Sequence, residues 1–144
     1  MSVVRWLLAW LAAVAVVTLL GSVVQTQFNL ARITGLDVAV PWSMRIETTL
    51  FDLAHFAPVW AAIMALAMVI GLPIAGLLAW RWQAFRQMLY PLAGFVAVLA
   101  ALLVMDAMLP VTPVGAARTW IGLISMALPG ALAGWTYYVL LSSK

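Results

Sequence analysis

The chain has no cysteine, one histidine, and only seven basic and four acidic residues among its 144. Without cysteine there is no disulfide, no thiolate nucleophile, no thiolate metal site and no thiol relay to a quinone. A single histidine cannot hold a haem on two imidazoles or complete a three-histidine zinc site unless protomers share ligands. The scarcity of charge excludes most. Charged residues make up 8% and hydrophobic ones 67%, against about 25% and about 45–50% in a soluble domain. A water-facing surface cannot be built from so few, and the solvent must be lipid.

The net charge of +3 comes from Arg5, Arg32, Arg45, Arg81, Arg86, Arg118 and Lys144. They are too scattered to track a nucleic-acid backbone, so nucleic acid is excluded as a partner. No Walker, dinucleotide-binding, H-E-x-x-H or G-x-S-x-G pattern occurs, no repeat is visible, and no nucleophile stands beside a base. The expectation is a protein that is not an enzyme, with no cofactor and no metal.

What is present is long apolar runs. A membrane helix needs about 20 mostly apolar residues, and four stretches qualify: 6–24, 58–80, 88–108 and 120–141. The predicted fold is all-α: a single membrane domain of four transmembrane helices in an antiparallel bundle. The first run resembles a signal sequence in its basic start. It is longer than a signal core and lacks a small-x-small exit, so it is read as a retained helix. The loop from Arg81 to Gln87 carries two arginines and no acid, which places it, and both termini, on the cytoplasmic side of a bacterial inner membrane. Trp6, Trp80, Trp82, Tyr90, Tyr137 and Tyr138 then gather at inner span ends, and Trp42, Trp60 and Trp120 at outer ones, as interfacial anchors. Pro91 is placed in the first turn of the third span, where a missing N–H is harmless. Pro73 and Pro129 are candidate kinks. Gly130 and Gly134 form a small-xxx-small pair for close helix packing, within the chain or across a dimer.

The long connection 25–57 holds the polar character. Gln25 to Arg32 extends the first helix, with Gly35 as its stop, and Ser43 is a candidate cap for the next. At 100° per residue, Ile46, Leu50, Leu53 and Ala57 fall on one face of a 44–57 helix and Arg45, Thr48, Thr49, Asp52 and His55 on the other. The expectation is an amphipathic helix that either bends at Pro58 and lies in the outer interface, apolar side in lipid or on the bundle, or projects outward, the interfacial placement being favoured. Asp52 and His55, three apart, are placed to pair. Asp106 follows a long uncharged run, and its candidate partners are Arg118 and then His55.

The outer-face cluster is therefore Arg45, Thr48, Asp52, His55, Asp106 and Arg118. The leading functional expectation is an accessory or scaffold subunit that docks a protein partner, a second copy or lipid headgroups through that face. The alternatives are an ion or solute transporter or channel with a vestibule lined by Asp52, His55 and Asp106, and a redox anchor with a shared haem or quinone.

Overall fold

Lipid offers the backbone no hydrogen-bond partner, so an apolar run that enters it must satisfy its N–H and C=O groups internally. In the computed structural model, which describes residues 3–143, the four runs are helices: α1 (Val3–Thr34), α2 (Trp42–Arg81), α3 (Arg86–Met108) and α4 (Trp120–Ser142). All four are long and apolar enough to cross a membrane. Lys144, counted above among the basic residues, lies outside the described residues.

The helices form a ring in which α1 packs on α2, α2 on α3, α3 on α4 and α4 on α1. Its core is made of small and flexible side chains: Ala9, Ala13 and Val17 of α1, Met64, Met68 and Leu72 of α2, Val98 and Leu102 of α3, Met126 and Ala133 of α4. Lipid tails are as apolar as leucine, so burial of apolar surface does not drive such association, and close packing must. Glycine supplies the closeness between α3 and α4. A Cβ placed on Gly94 or Gly130 would run into the other's carbonyl oxygen, and one on Gly134 into the carbonyl of Tyr90. The small pair Gly130 and Gly134 thus serves a contact inside the chain, with Gly94 as its unforeseen complement.

At one end of the ring, Arg5 ties α1 to α4. Its Nε and Nη2 donate to the Leu140 carbonyl at 3.1 and 2.9 Å, and Nη2 to Ser143 Oγ at 3.2 Å. A cation is thus placed on the unsatisfied carbonyls of a helix C-terminus, where the helix dipole favours it. Around it the rings of Trp6, Tyr90, Tyr137 and Tyr138 meet at centroid distances of 5.6 to 6.5 Å. This basic end holds Arg5, Arg81 and Arg86; the four acids lie toward the other, acidic end.

Three expectations need correction. The 44–57 segment is not a helix of its own: it is the first part of α2, which continues through it with Pro58 and Pro73 inside. Proline costs one backbone bond, to Ala54 O at Pro58, and the remaining ladder carries the helix across. Pro129 is likewise inside α4. Ser43 does not cap α2: the N-cap is Pro41, without a side-chain bond. Pro91 sits in the second turn of α3, because that helix already begins at Arg86. The stop at Gly35 holds: α1 ends at Thr34, Gly35 N–H reaches Ala31 O at 3.0 Å, and Asp37 turns the chain at φ 60°.

Candidate functional site: a polar seam at the acidic end

The unequal helix lengths decide what the acidic end looks like. With 32 and 40 residues, α1 and α2 run about 48 and 60 Å at about 1.5 Å per residue, well past a hydrocarbon core of about 30 Å. With 23 residues each, α3 and α4 match it. Gly71 of α2 lies against Ala97 of α3, and Gln25 of α1 against Ala116, just ahead of α4. Counted from these levels, the 25–34 part of α1 and the 42–57 part of α2 continue beyond the ends of α3 and α4 as a two-helix projection.

The projection is joined by polar bonds. Thr26 Oγ1 donates to Asp52 Oδ2 at 2.6 Å, Gln27 Nε2 to Thr49 Oγ1 at 3.3 Å, and Arg45 Nη1 to Gln27 Oε1 at 3.3 Å. Arg45 also lies 5.8 Å from the Trp42 ring centroid. The polar side chains Arg45, Thr49 and Asp52 are half-buried in this seam. The apolar ones point away: Trp42 is 80% exposed, Ile46 60%, Leu50 62% and Phe51 59%, and at the tip Leu36 is 77% exposed. Leu53 and Ala57, nearer the bundle, do turn inward. In the distal part of the 44–57 segment the polar groups therefore lie against α1 and the apolar groups outside, so of the two expected dispositions the one with the apolar side on the bundle is not adopted there. The reason is local: α1 offers Thr26 and Gln27 at this level, hydrogen-bonding partners that leucines could not use.

Other members of the outer-face cluster do not converge. His55 is exposed, its Nδ1 2.9 Å from Phe51 O and its ring stacked on Phe51 at 4.1 Å. Its side chain is thus held by its own helix, and Asp52 is held by Thr26. Thr48 Oγ1 donates back to Met44 O at 2.8 Å. Asp106, in the last turn of α3, is exposed and accepts from Thr112 Oγ1 of the following connection at 2.7 Å. Arg118, its expected partner, is exposed and lines the same shallow cavity of about 240 Å³. Among the described residues no group of three or more His, Asp or Glu is placed to hold a metal ion.

The connection between α3 and α4 is pinned to α1. Gln25, nearly buried, accepts from Ala116 N–H at 2.9 Å, and Asn29 Oδ1 would stand 2.5 Å from a Cβ on Gly115. Gln25 and Thr26 belong to a larger feature that sequence reasoning missed. Among the described residues, Thr18, Ser22, Gln25 and Thr26 are the buried polar ones, all on α1. Among the described residues, Ser22 Oγ and Thr18 Oγ1 have no hydrogen-bond partner, nor has Nε1 of the buried Trp60, which packs over Gly21. The four-residue spacing of Thr18, Ser22 and Thr26 in an otherwise apolar run was the signal that could have found this ridge, since that spacing keeps one helix face. No family model, curated protein or solved structure matches the chain.

Proposed function

We propose that this is an accessory or scaffold subunit of the bacterial inner membrane, without catalytic activity, whose projecting α1–α2 hairpin docks a partner. The fold in this reading is an antiparallel bundle with both termini cytoplasmic, so the hairpin stands on the outer side. The supporting observation is the disposition of the hairpin: polar groups used up in its seam, and Trp42, Ile46, Leu50 and Phe51 left outside. Apolar side chains gathered beyond the reach of the hydrocarbon core are costly in water, and contiguous patches of this kind mark interaction surfaces. The occupant is a protein partner with a membrane segment or a second copy of the chain, and lipid headgroups surround the base of the hairpin.

The experiment is a photo-crosslinking residue placed at Phe51 and, separately, at Val96 on the lipid-facing side of α3. Phe51 is expected to join one discrete protein band and Val96 only lipid. Leu50→Glu with Phe51→Glu should abolish co-purification of that band while the chain stays helical and monodisperse. A Phe51 probe that captures only lipid would refute the docking role.

A second reading has one observation in its favour. The Thr18, Ser22 and Thr26 ridge carries polar groups from the seam at Asp52 toward the middle of the span, as a transporter or channel vestibule would. Against it, Val14 and Val17 on α1 and Met64 and Met68 on α2 continue the same interior without a polar atom. Proton or ion flux in liposomes holding the pure protein, lost in Asp52→Asn, would favour this reading over docking. A redox anchor has less support, since His55 is exposed and stacked on Phe51.

A further inference from the structure

The basic end holds a cavity of about 430 Å³ between the end of α2 and the start of α3, lined by Gly76, Ala79, Trp80, Gln83, Arg86 and Tyr90. That volume is in the usual range for small-molecule sites, about 300–1,000 Å³. Two features make it a built site. Tyr90 is only 5% exposed, yet its hydroxyl reaches the cavity wall, 3.4 Å from where a Cβ on Gly76 would stand, and it has no hydrogen-bond partner among the described residues. A larger residue at position 76 would occupy the space in front of that hydroxyl. Arg86 brings a cation to the same space, its guanidinium 5.9 Å from the Tyr138 ring centroid.

The lining offers donors: the guanidinium, the Gln83 amide and the Tyr90 hydroxyl. It offers no carboxylate, because Asp37, Glu47, Asp52 and Asp106 all lie toward the acidic end. Of the other cations at this end, Arg5 is engaged with Leu140 and Ser143, and Arg81, next to Trp80 in the chain, is not part of the lining. A group that satisfies three donors around one uncompensated guanidinium is an oxyanion, and phosphate accepts from such a set with short charge-assisted bonds. The cavity lies where α2 ends and α3 begins, beside exposed Trp80, a ring of the kind that settles at the level of the headgroups. Basic pockets between membrane helices at that level suit acidic headgroups. A choline or ethanolamine group would bring a second cation beside Arg86 with no acid to hold it.

We propose that this cavity binds the phosphate of an anionic glycerophospholipid, with Arg86, Gln83 and Tyr90 as its donors. The site depends on the chain being embedded in a membrane and not on the docking role, which is located at the opposite end.

The test uses the full chain in maltoside micelles with added phosphatidylglycerol or phosphatidylcholine of identical acyl chains, and native mass spectrometry to count retained lipid. Phosphatidylglycerol should be kept with at least about tenfold preference. Arg86→Gln should bring that preference near unity, and Tyr90→Phe should lower it severalfold. Both residues tolerate change in the fold, since Arg86 is exposed and Tyr90→Phe keeps the ring. Inorganic phosphate at millimolar concentration should not displace the lipid. Equal retention of the two lipids, an unchanged preference in Arg86→Gln, or displacement by inorganic phosphate alone would each overturn the proposal.

Discussion

Replacing Gly134 by alanine adds one methyl group at a point where α3 and α4 touch backbone to backbone. The new Cβ would fall inside the contact radius of Tyr90 O, with Pro91 Cα 3.0 Å away. Neither neighbour is a flexible side-chain end, so the methyl must push the helices apart by about 1 Å. A gap of about 0.5–1 Å forfeits about a quarter to a half of each dispersion well of about 0.1–0.2 kcal/mol. If roughly thirty atom pairs along the contact lose a third of their wells, the cost is about 1–2 kcal/mol, in the usual range for overpacking. Unfolding by sodium dodecyl sulfate, followed by helical circular dichroism in mixed micelles, measures it. Gly94→Ala should cost a similar amount, and Gly134→Leu should prevent folding. Gly35→Ala is the control: its nearest neighbours would be 3.4 and 3.5 Å from the added Cβ, so stability should change by less than about 0.5 kcal/mol. Wild-type stability in Gly134→Ala would refute the close-packing account. So would a loss of stability that appears only where a dimer is populated, because the glycines would then serve a contact between copies.

A double-mutant cycle of Thr26→Val and Asp52→Asn should give a coupling of about 1–3 kcal/mol, as expected for a part-buried hydrogen bond to a carboxylate; additive effects would remove the seam's central bond. Arg5→Gln should loosen the end of α4, costing about 0.5–2 kcal/mol and raising hydrogen exchange at the amides of the last turn, while exchange in α2 stays unchanged. His55→Ala should leave stability within about 0.5 kcal/mol, because the exposed ring bonds only within its own helix; a larger loss would mean that it holds a partner group the structure does not bring to it.

Much of the fold was legible because membrane insertion is a matter of length and polarity. Runs such as 58–80 leave no other way to satisfy their backbone, and the close approach at Gly130 and Gly134 followed from their spacing. Pro58 does not divide α2 into two helices, because one missing backbone bond leaves the rest of the ladder to carry the helix across. Which face of the 44–57 segment meets the protein was open for a different reason. The helical wheel separated Arg45, Thr48 and Asp52 from Ile46 and Leu50 correctly, but a wheel cannot say which face meets the protein. That was settled by Thr26 and Gln27 on α1, residues distant in sequence. The Asp52 and His55 pair failed in the same way, since Thr26 competes for the carboxylate and the Phe51 ring and carbonyl hold the imidazole. The Tyr90 cavity had no signal at all, because it depends on Gly76 and Arg86 meeting across the turn between α2 and α3.

The absence of native cysteine allows the central claim, that a partner covers the apolar exterior of the hairpin, to be tested by single cysteines. Trp42→Cys, Leu50→Cys and Phe51→Cys are treated with a membrane-impermeant maleimide in intact native membranes and again after purification. The account predicts slow labelling in membranes and labelling at least about tenfold faster once the partner is stripped away, while Glu47→Cys, on a polar exposed position, labels quickly in both. Equally fast labelling at Leu50 and Phe51 in native membranes would contradict it.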